Sequence, residues 1–301
     1  MEKIKDVKKV KENIHGVVLL DKPTGMSSNK ALQMIKHHFN AKKAGHTGSL
    51  DPLATGLLPI CLGQATKISE YLLHSHKRYR TVIKLGEVTD TLDRDGEIVS
   101  TNEVNISDND LQTALAQFRG DIKQVPPMYS ALKKDGQPLY KLARKGEVIE
   151  RPARDMTVHS LSAKRLDDLF VELDVHCSSG FYIRSLAHDL GQVLGCGAHV
   201  HELRRTHIKS NSIDEAQTLE EILNADLKDV LLPIDTLILE MPKLTLSEQQ
   251  TLDLSHGRVA FAENQNTQEI SRLYDSSDKL FAIGEVDSNQ KIKTKKMFID
   301  I

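Results

Sequence analysis

Hydrophobic positions along this chain follow two periods, alternate and helical, and the changes between them mark its elements. A buried strand is predicted over 16–21 (GVVLLD), ended by Lys22-Pro23 and a Thr24-Gly25 turn. Ser27 or Ser28 then caps a helix carrying Leu32, Ile35 and Phe39 at helical spacing. A loop rich in glycine and proline, GHTGSLDPLATGLLP (45–59), leads into apolar LLPICL and a helical ISEYLLHSH. KRYRTVIKLGEV alternates as a strand, and TDTLDRDGEIVS predicts a hairpin turning at Asp95-Gly96. Residues 107–119 form an amphipathic helix capped by Ser107 or Asp108, and Pro126-Pro127 break the chain before MYSALKKDGQPLYKLARKGE.

Two strands are predicted between 155 and 177, the second with Val171, Leu173, Val175 and Cys177 on one face. SSGFYIRSLAHDLGQVLG passes from strand into a helix with Ile183, Leu186, Leu190 and Leu194 as its stripe, stopped by Gly195. AHVHELRRTHIKS is a further strand, 218–231 reads as helical, and Pro233 and Met241-Pro242 mark a crossing. The last sixty residues are short and strand-like. The implied class is α+β, with a mixed, largely antiparallel sheet and flanking helices. Its expected parts are a basic arm (1–14), a main domain (15–240) and a small β-rich domain (241–301).

Composition adds limits. The chain has 301 residues, 39% hydrophobic and 27% charged, an ordinary globular mix with no apolar run of membrane-spanning length. The N-terminal MEKIKDVKKVKEN lacks the apolar stretch of a secretory signal. Cys61, Cys177 and Cys196 are far apart and odd in number, which fits a reducing compartment, so a cytoplasmic location is expected. Net charge is −2, but residues 1–90 carry 15 Lys and Arg against 8 acids. That asymmetry suits a polyanionic partner, or simply a solvated basic face.

Asp51 is the only charged side chain in the 45–59 loop. Standing before Pro52, it could cap a short helical turn; in a glycine-dense loop it could equally be a fixed, ligand-facing carboxylate. A glycosidase would want a second acid, and the nearest in sequence, Asp21 and Glu70, fall at a strand end and on a helix surface. No phosphate-binding loop motif is present. Cys196, His199, His201 and His207 invite a metal reading, but they form no closed four-ligand pattern, and no metal is expected.

The stretch AGHTGSLDPLATGLLPICLGQATK resembles the signature of the TruB family of tRNA pseudouridine synthases. So do GVVLLDKPTGMSSN, KRYRTVIKLGEVTDTLDRDGEIV, QVPPMYSALKKDGQPLYKLARKGE, GFYIRSLAHDLG and CGAHVHELRRT, in register over about residues 15–210. The resemblance implies isomerisation of the T-loop uridine (position 55) of tRNA to pseudouridine, with no cofactor. It also implies a small C-terminal RNA-binding domain of the PUA type. No protein partner is implied, and a monomer is expected. By resemblance Asp51 is the catalytic aspartate and Arg184 the arginine paired with it. Tyr79, Tyr182 and Leu203 line the uracil pocket, His46 contacts the T-loop, and Lys22 lies close to the active site. Flanking glycines suggest that the His46 ring is free to reach outward. A rival reading is a tRNA-binding or tRNA-folding protein without turnover; a weaker one is a nucleoside hydrolase.

Overall fold

In the computed structural model, residues 10–262 and 269–298 are described; most of the expected basic arm, residues 1–9, lies outside them. The first half of the chain follows its hydrophobic pattern closely. β1 (Gly16–Lys22) is followed by α1 (Ser28–His38), whose N-cap Ser27 accepts a hydrogen bond from the Lys30 N–H. β2 (Ala44–His46) and β3 (Thr55–Leu62) bracket the glycine-rich segment, so the expected long loop narrows to residues 47–54. A 3₁₀ turn (Gly63–Lys67) leads to α2 (Ser69–Leu73), shorter than the predicted helix. The Lys77 ammonium ends it by donating to the carbonyls of Leu72, Leu73 and Ser75.

β4 (Lys77–Leu85) is the long central strand; β5 (Glu87–Thr89) and β6 (Ile98–Thr101) form the predicted hairpin. α3 (Asp108–Ala116), capped by Ser107, precedes β7 (Gly120–Gln124), a two-residue-per-strand hairpin β8 (Lys133–Lys134) and β9 (Gln137–Pro138), and α4 (Leu139–Ala143). β10 (Arg154–Arg165) and β11 (Phe170–Cys177) are the two strands expected, with Val171, Leu173, Val175 and Cys177 fully buried. α5 (Ile183–Leu194) ends at Gly195 in the left-handed region, and its stripe is buried at Ile183, Leu186 and Leu190. β12 (Ala198–Ile208), β13 (Asn211–Ser212) and β14 (Gln217–Thr218) complete the large sheet. The region read as helical over 218–231 is two short helices, α6 (Leu219–Asn224) and α7 (Leu227–Val230), separated at extended Ala225.

The ten-stranded sheet runs β14-β1-β3-β12-β4-β11-β10-β7, with β2 on β3 and β13 on β12; β1–β14 and β3–β12 are parallel and every other pairing is antiparallel. One face packs α1, α3 and α5 into the main core. The C-terminal residues form a second, four-stranded sheet, β15 (Lys243–Thr245), β16 (Ser271–Tyr274), β17 (Leu280–Val286) and β18 (Ile292–Met297). It is β-rich as expected but also carries a helix, α8 (Glu248–Ser255), capped by Ser247. Its Tyr274, Leu280, Ile283 and Phe298 join Val17, Leu19, Leu57 and Cys61 of the large sheet in one hydrophobic cluster.

Candidate active site

The loop 47–54 leaves β2 and returns into β3, which begins at Thr55, so no helix follows Asp51 for it to cap. The loop is braced from behind. Lys22, at the end of β1, is fully buried and donates to the carbonyls of Pro23 (2.8 Å), Met26 (2.8 Å) and Pro52 (3.4 Å). Burial lowers its pKa to about 8. Ser28 of α1 accepts from the Leu50 N–H at 2.7 Å and donates to the Leu50 carbonyl at 3.0 Å. Asp51 thus projects from a pinned backbone, with its side chain 40% exposed.

Arg184, in the first turn of α5, lies with Nη2 2.9 Å from Asp51 Oδ2. Its guanidinium is buried and also donates to the carbonyls of Thr91 (3.1 Å) and Tyr129 (2.8 Å). Its Nη1 lies 3.6 Å from Asp93 Oδ2. The two acids nearest Asp51 in sequence are engaged elsewhere: Arg204 forks onto Asp21 at 3.0 and 2.6 Å, and Lys296 pairs with Glu70 at 3.1 Å. The fold instead supplies Asp93, which the sequence reasoning missed. The tip of the β5–β6 hairpin bends back onto β12 through Arg94 N–H to Val200 O and Val200 N–H to Leu92 O, with Leu92 at φ 62°. Burial raises the Asp93 pKa, opposed by the Thr91 hydroxyl and Arg184.

Tyr79 (β4) and Leu203 (β12) are buried beside the loop. Burial pushes the Tyr79 phenol up to about 12, so it stays protonated near neutral pH. Tyr182, half-buried, precedes α5 and is held by its backbone: its N–H donates to Gln124 Oε1 (2.8 Å) and its carbonyl accepts from Gln124 Nε2 (2.9 Å). His46 is half-buried on β2, and its Nδ1 accepts from the Gly48 N–H at 3.4 Å, so the ring curls over its own loop. Burial and Arg205 lower its pKa, which keeps the imidazole neutral at pH 7.

Two further features escaped the sequence reasoning. Residues 119–154 carry nine Lys and Arg against four acids, and Lys133, Lys134, Lys141, Arg144, Lys145 and Arg154 are exposed. This segment reaches the site through Tyr129, whose carbonyl rests on Arg184. The other is Arg205, buried two residues beyond Leu203; strand alternation alone puts both on one face. No set of three metal-ligating side chains is grouped among the described residues; His199 contacts Glu87 and the Val200 carbonyl.

Sequence and fold comparisons agree. Residues 36–183 match the family model described as TruB family pseudouridylate synthase (N terminal domain). Residues 184–239 match a tRNA pseudouridylate synthase B C-terminal domain, and 242–298 a Pseudouridine synthase II TruB, C-terminal, model. The tRNA pseudouridine synthase B of Pseudomonas aeruginosa is 48% identical over 298 residues, covering 97% of this chain and 98% of that protein. That of Actinobacillus pleuropneumoniae is 47% identical over 293 residues, covering 95% and 96%. Among solved structures, a Cbf5-Nop10-Gar1 complex matches with a TM-score of 0.73 at 24% identity, over 95% of this chain and 85% of that one. An H/ACA RNP bound to a substrate RNA containing 2'-deoxyuridine matches at 0.71 and 23%, with the same coverage.

Proposed function

The chain belongs to the TruB family of pseudouridine synthases, isomerases of uridine in tRNA, and from that membership we propose that it acts on the T-loop uridine (position 55) through Asp51, without a cofactor. The reaction breaks the bond from ribose C1′ to uracil N1, turns the base, and joins C1′ to C5; C5 gives up its proton and the freed N1 takes one up. Substrate and product have the same composition, and no electrons are gained or lost. Attack at C1′, attack at C6 and removal of a ribose proton all ask for one carboxylate at the sugar–base junction.

The observation that carries this reading is the Asp51–Arg184 pair, a half-exposed carboxylate held on a pinned loop by a buried guanidinium. The cation balances the carboxylate in its partly desolvated setting and fixes its orientation. Around it, Tyr79, Tyr182 and Leu203 offer walls for a base taken out of its stack. His46, neutral, meets the RNA as a stacking or hydrogen-bonding group. Lys22, buried beneath the loop, acts by holding the backbone on which Asp51 stands. Phosphates are met by the basic residues of 119–154 together with the basic N-terminal part. The small C-terminal sheet is assigned a PUA-like RNA-binding role, and the enzyme is assigned to the cytoplasm, working as a monomer.

T-stem-loop RNA carrying tritium at uridine C5 tests the assignment. Release of tritium with no free uracil is expected. Free uracil would mean hydrolysis, and binding with no release would mean a non-catalytic RNA binder. Asp51→Asn is expected to abolish release while RNA binding persists; full activity of that variant would refute the role given to Asp51.

A further inference from the structure

Arg205 is fully buried, 1% exposed, yet among the described residues it forms no ion pair. A buried cation without a carboxylate is costly unless its donors are well used. Those of Arg205 are directed at the site. Nε donates to the Leu57 carbonyl on β3 at 2.8 Å, and Nη2 to the Gly48 carbonyl at 3.1 Å, three residues before Asp51. On β4 its directly paired neighbour is Tyr79, whose side chain lies on the same face, so the guanidinium charge acts on the phenol across the pair. One planar group thus ties the loop to the strand that receives it, directly opposite the tyrosine wall.

We propose that Arg205 is a positioning residue for the isomerisation, setting the Tyr79 phenol and the Asp51 loop in a fixed relation across the uridine pocket. The inference rests on the activity proposed above and adds a member to its machinery. The role needs the fork: a lysine ammonium at the same Cα is a point donor and cannot serve the β3 carbonyl and the loop carbonyl together in this geometry. Displacements of about 1 Å in a reacting group cost on the order of 10²-fold in rate.

The test is single-turnover tritium release with enzyme in saturating excess over T-stem-loop RNA, comparing the wild-type chain with Arg205→Lys. The rate constant is expected to fall by on the order of 10²-fold, with full reaction amplitude and RNA affinity within about twofold. A merely structural loss would show as an earlier melting transition with the saturated rate constant in place, since the RNA is limiting and the molecules that fold react at the wild-type rate; that result overturns the proposal. If the wild-type chain releases no tritium, the underlying activity is refuted instead. Tyr79→Phe, which removes one oxygen, gives a second measurement that does not need the Arg205 variant to fold. The Arg205 guanidinium N–H resonances are expected to shift in that variant, and superimposable spectra would show that the contact does not exist.

Discussion

The Lys22 ammonium sits on the carbonyls of Pro23, Met26 and Pro52, and the Lys77 ammonium on those of Leu72, Leu73 and Ser75. Burial lowers both pKa values from 10.5 to about 8. Between about 8 and 10.5 the unfolded chain therefore binds more protons than the folded one, and stability rises with pH across that window. Below 8 the cost of the two buried charges is present in full. Cys61 and Cys177 act oppositely: raised from 9.0 to about 12, they are ionised first in the unfolded chain, so stability falls above 9. Tyr79, raised from 10.0 to about 12, adds to that fall. Urea midpoints are thus expected to rise from pH 8 to 9, level off, and drop beyond 10. Lys22→Met should remove about half of the rise, and a slope that stays unchanged in this variant would show that the buried ammonium is not the titrating group.

Among the elements, the parallel contact of β3 with β12 does most to assemble the site, because it sets Leu203 and Arg205 beside the loop that enters β3. Gly56 permits it: at φ +105°, a Cβ there would fall 2.3 Å from the Arg205 carbonyl oxygen and 2.8 Å from its nitrogen. Gly56→Ala should cost at least about 3 kcal/mol by denaturant unfolding, since both strain and strand separation are forced. A fall below about 1 kcal/mol would mean that the strands can part without loss. Nothing in local sequence announces this contact. Alternation made β4, β11 and β12 legible, and the paired cap candidates Ser27 or Ser28 and Ser107 or Asp108 marked two helix starts to within a residue, the caps being Ser27 and Ser107. Strand order, however, depends on pairing partners far apart in the chain. For the same reason Asp51 and Arg184 were legible as motif residues, whereas Asp93 reaches the site only because a hairpin tip leans on β12. Arg205 carried a usable signal, its i+2 spacing from Leu203, but a charged residue on an inward face reads at first as an exception. α8 was missed because its eight residues show little apolar periodicity, only Leu254 being buried.

For the molecule as a whole, the junction between the two sheets decides whether they behave as one body. Besides the shared hydrophobic cluster, it contains a buried polar group. Arg272 on β16 pairs with Asp235 of the connecting segment at 2.9 Å, and its other nitrogens donate to the carbonyls of Met241 and Leu239. The Tyr274 hydroxyl donates to the same Asp235 carboxylate, and Lys243 stands 4.2 Å from the centroid of the Tyr274 ring. The apolar cluster supplies attraction but little direction; the Asp235–Arg272–Tyr274 network specifies the angle at which the small sheet sits. Removing one partner of a buried pair leaves an uncompensated charge and costs about 3–5 kcal/mol. Arg272→Met should therefore lower stability by about that amount and split the unfolding into two calorimetric transitions, the small sheet melting first. If that sheet contacts tRNA beyond the T-stem-loop, as its proposed role requires, the variant should bind the isolated stem-loop as the wild-type chain does and whole tRNA more weakly. Equal weakening toward both RNAs would place the damage in the catalytic pocket, and equal retention of both would show that the orientation of the small sheet has no part in holding the substrate.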